Sequence, residues 1–274
     1  MQIACHLWAY NDQPLEDALG TIARLGFRYV DLGSGPHLDL ETAALYPGRE
    51  ARRLRALLDY YELGLTDLYL MLPYINDPDP AQRVAQLALF ERLIPFALAL
   101  GAPGLTVSPG VENADAPDEA LARSVPALME MVRIAEDTDL RISFEPHMDS
   151  AVTSPDSALL LLRAVPGLSL TLDYAHFIVQ GYRLEDLQAV LPHVGHVHVR
   201  QAVKGRLQTP FRQGRLDLEK MMDALVAAGY FSTFTVEYMT TIGWHGMMAV
   251  NITQESMLMR DALRKLRASL RHAP

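Results

Sequence analysis

A single cysteine, Cys5, stands in 274 residues. No disulfide can form within one chain, and so sparing a use of cysteine suits a reducing compartment. Positive charge is scarce as well: 24 Lys and Arg face 33 Asp and Glu, for a net charge of −9. No basic cluster is long enough to track a phosphate backbone, so nucleic acid and anionic membrane surfaces are poor electrostatic partners. No apolar run approaches the roughly 20 residues that cross a bilayer. The opening Met1-Gln2-Ile3-Ala4-Cys5-His6 lacks the charged start and apolar stretch of a secretory signal. These absences lead us to expect a soluble, cytoplasmic protein. Linkers, low-complexity runs and breaks in composition are missing too, so one domain over residues 1–274 is expected.

Apolar side chains are plentiful, at 50% of the sequence, enough for one large core. The stretch Ser169-Leu170-Thr171-Leu172-Asp173 reads as a short buried strand, followed by His176. Successive strand side chains point to opposite faces. Leu170 and Leu172 therefore share one face, and Thr171 and Asp173 the other. The pattern recurs three times. Ile142 and Phe144 oppose Ser143 and Glu145; Val197 and Val199 oppose His196 and His198; Phe234 and Val236 oppose Thr235 and Glu237. Each strand has an apolar face and a small or polar face, and each ends on a residue able to bind metal.

Further strands are predicted at Gln2–Leu7, Phe27–Leu32, Leu65–Met71 and Gly104–Ser108, with helices between them. Pro14 opens a helix that Gly26 stops, and Gly64 follows another over Arg49–Glu62. Val84, Leu87, Phe90, Ile94 and Leu98 recur at helical spacing after Pro80. A long helix over Asp118–Asp137 is expected to be interrupted near Pro126. Pro155–Ala164, Leu184–Val190, Leu218–Ala228 and Thr253–Leu270 complete the helices. Eight strands alternating with helices imply parallel pairing. The ends at Glu145, Asp173, His198 and Glu237 lie 28, 25 and 39 residues apart, a spacing that suits eight units in about 250 residues. The predicted fold is an α/β (β/α)8 barrel. An open doubly wound sheet is the other arrangement weighed, and Gly33-Ser34-Gly35-Pro36 is a poor version of its phosphate turn.

In a closed barrel the C-terminal strand ends share one face, so Glu145, Asp173, His198 and Glu237 should converge. Three unpaired carboxylates in a confined pocket repel, and at least one has to take up a proton near neutral pH. A divalent cation removes that repulsion. Three oxygen donors and an imidazole suit one Mn²⁺, Mg²⁺ or Co²⁺ ion, with Zn²⁺ also acceptable. Singly, each such residue has a plainer role as a helix cap or a hydrogen-bonded structural group; four on consecutive strands favour the metal.

The residues Phe144-Glu145-Pro146-His147, Asp173-Tyr174-Ala175-His176, His196-Val197-His198-Val199-Arg200, Phe211-Arg212-Gln213-Gly214-Arg215-Leu216-Asp217 and Thr235-Val236-Glu237-Tyr238 resemble the xylose isomerase-like TIM barrels. That superfamily holds sugar (phosphate) isomerases, ketose 3-epimerases and family 2 AP endonucleases. The resemblance implies one catalytic metal on Glu145, Asp173, His198 and Glu237. It also implies that Glu145 and Glu237 act as bases as well as ligands, and that His176 contacts substrate or metal. Isomerising or epimerising a sugar removes a proton next to a carbonyl, and a metal stabilises the resulting enediolate.

Other expectations concern the rim. Arg206, or alternatively Lys204, is the candidate to hold substrate from the loop after His198, unless that loop is simply a solvated basic one. Arg200 lies on the same face as His198 and stands where many relatives have a lysine, which bears on the substrate. His6, Trp8 and His147 are candidate substrate-binding residues; Trp8 would form an apolar wall unless it only packs, and His147 would otherwise support Glu145. His37, Tyr69 and Glu112 line the same predicted rim. Trp244-His245-Gly246-Met247-Met248 is apolar for a loop and is expected to close the pocket, enter a subunit interface, or pack.

The leading function is a divalent-metal-dependent sugar isomerase or epimerase acting on a small-molecule sugar or polyol. The alternative is a metal-dependent dehydratase or lyase on a cyclic polyol ketone or shikimate-type acid. An AP endonuclease-like phosphodiesterase fits less well, because Tyr69 and Ser108 stand where its extra histidines belong. A non-catalytic sugar-binding barrel would follow if no metal binds. The resemblance makes a homodimer or homotetramer a further expectation.

Overall fold

Alternation along each strand decides which side chains meet across the molecule, and the hydrogen bonds show where the polar set goes. The structure, a computed structural model, describes residues 1–270; residues 271–274, the tail of the expected domain, lie outside the described residues. The strands are β1 (Gln2–His6), β2 (Tyr29–Gly33), β3 (Gly64–Leu70), β4 (Gly104–Val107), β5 (Arg141–Phe144), β6 (Ser169–Asp173), β7 (Val194–Val199) and β8 (Thr233–Val236). They form a closed barrel in sequence order, and β8 pairs with β1 in parallel, Cys5 opposite Val236. The fold is a (β/α)8 TIM barrel, and the open sheet is set aside.

Asp31 on β2 bonds His196 on β7, and Thr106 on β4 bonds Thr171 on β6. Neither pair of strands is adjacent, so these side chains meet inside the barrel. The alternate residues, among them Leu105, Phe144, Leu172, Val199 and Phe234, then point outward and are buried in the apolar core. Stability is concentrated in that outer layer, where each fully buried large side chain contributes about 1.5–3 kcal/mol.

The helices are α1 (Leu15–Arg24), α2 (Leu40–Leu45), α3 (Pro47–Tyr60), α4 (Pro80–Leu100), α5 (Pro117–Ile134), α6 (Pro155–Ala164), α7 (Tyr174–Ile178), α8 (Leu218–Ala227) and α9 (Ile252–Leu270). Three differ from the sequence expectation. Pro126 does not interrupt α5. Its missing donor and ring clash cost roughly 3 kcal/mol, but Ala127, Leu128 and Met131 beyond it are buried, and their burial offsets the loss. The expected helix over Leu184–Val190 is only a tight turn at Leu184–Leu187. The helix there is α7, because Asp173 accepts the Ala175 N–H and starts it directly at the strand end. Short α2 was not anticipated; the Asp39 carboxylate caps it by accepting from Thr42 N–H. No helix among the described residues is long and apolar enough to cross a membrane.

The N-terminal end of the barrel is plugged. Arg141 enters it and pairs with Asp67, whose other oxygen accepts from Thr106 Oγ1 at 2.5 Å. Thr106 in turn meets Thr171 Oγ1 at 2.7 Å. Gly195 makes room for the arginine stem, since a Cβ there would fall 2.4 Å from Arg141 Cδ.

Thr106→Val should test this plug. The substitution keeps the shape and leaves Asp67 and Thr171 each short of a partner, at a cost of about 1–3 kcal/mol. The expected result is a lower urea midpoint at unchanged slope. An unchanged midpoint would mean that the bonds contribute nothing to stability.

Candidate active site

The opposite end of the barrel is where the strand-end residues meet. Glu145 and Glu237 lie one residue past β5 and β8, fixed by their own backbone N–H groups, which donate to Val107 O and Val199 O at 3.0 Å. Asp173 closes β6 and sits in register with His198 on β7. His198 is the hub. Its Nδ1 donates to Glu145 Oε1 at 2.6 Å and lies 3.7 Å from Glu237 Oε2. Its Nε2 lies 3.5 Å from Asp31 Oδ2, which also accepts from His196 Nε2 at 2.6 Å, while Asp31 Oδ1 accepts from the Thr66 hydroxyl.

Glu145, His198 and Glu237 offer ligand atoms that all lie within 4.8 Å of one another, and Asp31, His196 and His198 form a second such group. Glu237 Oε2 is buried and has no hydrogen-bond partner. A buried carboxylate oxygen left over beside an imidazole and a second carboxylate fits a divalent cation. Asp31 beyond the far ring nitrogen supplies the carboxylate that a metal-binding histidine ordinarily leans on. Asp173, the fourth expected ligand, is engaged elsewhere. Its Oδ1 caps α7 at 2.9 Å from Ala175 N, and its Oδ2 accepts from Arg200 Nη2 at 2.7 Å.

Charge in this cluster is unevenly held. Burial raises Glu237 to about 8, with Arg200 and His198 opposing it. Asp173 is also raised by burial, against Arg200. For Glu145, burial works the other way from His198, and the imidazolium wins, holding it well below the usual carboxylate range. His198 is disfavoured by burial yet held well above its ordinary value by Glu237 and Glu145. His176 is kept neutral by burial and Arg200. Burial thus favours the protonated forms of Glu237 and Asp173, while His198 favours the charged form of Glu145.

Above the cluster lies a cavity of about 280 Å³. Glu145, His176, Arg200 and Glu237 form its polar base. Trp8, Tyr69, Met71, Val111, Met148, Met239 and Trp244 line it, with His147 and Asp149. Trp8 is steered by its indole N–H, which donates to Ser34 O at 3.1 Å, and Gly33 leaves the space its ring fills: a Cβ there would lie 2.6 Å from the indole. His147 borders the cavity with both ring nitrogens engaged, Nδ1 donating to Met148 O and Nε2 accepting from Ser108 Oγ. Trp244 and His245 both reach Asp149, at 2.8 and 2.9 Å, which ties the loop after β8 across to the loop after β5.

Other expected rim residues are not brought to the cavity. His6 is fully buried beneath Trp8, with its ring 5.4 Å from that of His198; burial and His198 lower it to about 3. Arg206 is exposed at the tip of a turn closed by Val203 and Arg206, and its guanidinium meets Met248 Sδ at 3.4 Å. His37 bonds Gln13 O, and Glu112 is exposed. Asp31 was not singled out from the sequence, although Val30-Asp31-Leu32 carries the same alternation as the strands that lead to Glu145, Asp173, His198 and Glu237. Arg200 was placed on the inward face, and there it contacts the carboxylates Asp173 and Glu237 themselves.

Known proteins can now be set beside this geometry. No curated protein matches the chain by sequence. Among solved structures, D-psicose 3-epimerase from Clostridium cellulolyticum, with D-tagatose, superimposes with a TM-score of 0.78 at 16% identity, covering 97% of this chain and 99% of that one. D-allulose 3-epimerase from Methylomonas sp. gives 0.77 at 20% identity, covering 97% and 98%. The IolI protein with a bound zinc atom gives 0.74 at 17% identity, covering 98% and 97%. These likenesses are of fold. The family model described as xylose isomerase-like TIM barrel matches residues 19–268. The chain therefore belongs to the xylose isomerase-like TIM barrel family.

Proposed function

We propose that this protein is a divalent-metal-dependent sugar epimerase or isomerase that moves a proton at a carbon next to a carbonyl. The observation that carries this reading is the pair of buried carboxylates, Glu145 and Glu237, that flank His198 at the base of one cavity, with Glu237 Oε2 unpartnered. The similarity in fold to two ketose 3-epimerases supports it.

Moving a proton at such a carbon needs a base in reach and a donor able to return the proton. Glu145 follows β5 and Glu237 follows β8, three strands further round the barrel. The two carboxylates thus approach the cavity from different sides, as exchange between opposite faces of one carbon requires. His176 borders the same cavity and is neutral, which suits hydrogen bonding to a substrate hydroxyl. Trp8 and Trp244 offer flat apolar faces to the C–H side of a sugar ring. His147, with its nitrogens engaged, shapes the rim and steadies Met148. Glu145, His198 and Glu237, with Asp173 as fourth ligand, would hold a divalent ion, which supplies Lewis-acid polarisation of the carbonyl. The oxygen-rich donor set suits Mn²⁺, Mg²⁺ or Co²⁺ and tolerates Zn²⁺.

Two outcomes follow. Elemental analysis of the purified protein should find about one divalent ion per chain, lost in a Glu145→Gln/Asp173→Asn double variant. Failure to bind any ion after reloading would end the metal-dependent reading. With ketohexoses in D₂O, NMR should show deuterium entering at the carbon next to the carbonyl, and Glu237→Gln should slow this by about 10²–10⁴-fold while circular dichroism stays unchanged. Exchange at the parent rate in that variant would remove Glu237 as a base.

A further inference from the structure

Arg200 is 1% exposed and sits inside the carboxylate cluster. One nitrogen, Nη2, lies 2.7 Å from Asp173 Oδ2, 3.5 Å from Glu237 Oε2 and 3.1 Å from His176 Nε2. Nη1 is directed at Glu237 O, 3.4 Å away, and at Met239 Sδ, 3.1 Å away. The oxygen of Asp173 not used by the cap of α7 and the oxygen of Glu237 with no hydrogen bond therefore face the same guanidinium nitrogen. Those are the two oxygens that a metal ion would need to add Asp173 to Glu145, His198 and Glu237.

We infer that Arg200 is a built-in cation that stands in for a divalent ion on the Asp173 side of the site, and that an ion completing the four-ligand set must displace it. The inference rests on the metal reading of the site given above. An arginine cannot shed its charge, so two cations that share these oxygens repel strongly, and the arginine must move. Movement is open to it. Arg200 borders the cavity beside Met239. Its Nε–H is buried without a partner, so its present position leaves one donor unsatisfied. Rotation into the cavity would release Asp173 and turn the guanidinium toward the oxygens of a bound sugar. Metal and arginine are then alternative occupants of one site, and residue 200 sets how tightly the ion is held.

The test compares the parent protein with Arg200→Met, which removes the charge at similar length, and Arg200→Lys, which keeps a charge. Each is stripped of metal and titrated with Mn²⁺ and Co²⁺ against a competing chelator, and each is melted with and without the ion. The Met variant should bind at least about 100-fold more tightly than the parent, and the Lys variant should stay within about 10-fold of it. In chelator the Met variant should melt lower than the parent, and the ion should raise its melting temperature by more. Should the Met variant fold only with the ion, that rescue supports the inference; a Met variant that the ion cannot rescue overturns it. Equal affinity and equal melting shifts in parent and Met variant overturn it while leaving the metal reading intact. Binding by the Met variant alone supports it and removes metal dependence from the parent. Binding by neither overturns both.

Discussion

The structure depends on one constraint: every charge on the inward face of a closed barrel has to be matched there. Strand alternation puts Asp31, Asp67, Glu145, Asp173 and Glu237 on that side, and all are buried. A buried carboxylate must be met by a cation, by hydrogen-bond donors or by a proton. At the N-terminal end Arg141 and Thr106 meet Asp67 completely. Halfway up, His196 and Thr66 meet Asp31. At the C-terminal end His198 meets Glu145 and Arg200 meets Asp173, which leaves Glu237 over. The imbalance is confined to one end of the barrel, and that is the end with a cavity.

The surroundings of that end strengthen whatever acts there. Two indoles and three thioethers around the cavity lower the local polarity, so charges at its base are felt more strongly than in water. Asp149 holds the loop after β8 over this space through Trp244 and His245. Both Asp149 and His245 have positive φ, at 66° and 43°, a conformation that costs non-glycine residues energy. The bonds from Asp149 to His245 and to Trp244 offset that cost and hold Trp244 at the mouth. The outer apolar layer carries the stability, and the polar interior can be arranged for chemistry.

Much of this was legible because a period of two is hard to disguise. Leu170, Thr171, Leu172 and Asp173 alternate so cleanly that β6, its inward face and its terminal carboxylate could all be assigned from the sequence. Glu145, His198 and Glu237 were visible for the same reason, and Asp31 could have been. What alternation cannot show is reach. It puts Arg200 on the inward face but is silent on whether a long side chain folds back onto the carboxylates or out into the cavity. Arg206 was harder still, because a loop residue's direction depends on a turn whose closing bonds, Val203 to Arg206, are not encoded in any periodicity. The helix after β6 was misplaced because Asp173 was read only as a candidate ligand, whereas one of its oxygens is the cap that starts α7.

That double use of Asp173 shows why residue 200 matters. With Oδ1 committed to the helix cap, the carboxylate presents Oδ2 to the interior and cannot turn away from it. Any residue two positions past His198 on β7 shares the inward face, and an arginine there is long enough to reach that oxygen, as the 2.7 Å contact shows. The strand geometry that delivers the imidazole thus delivers the guanidinium as well. A smaller or uncharged residue at the same position would leave Asp173 Oδ2 and Glu237 Oε2 facing each other, two carboxylates whose repulsion is relieved by a proton or by a cation from outside. Arginine supplies that cation from within the chain, so the barrel can fold with Asp173 already matched and only Glu237 left over.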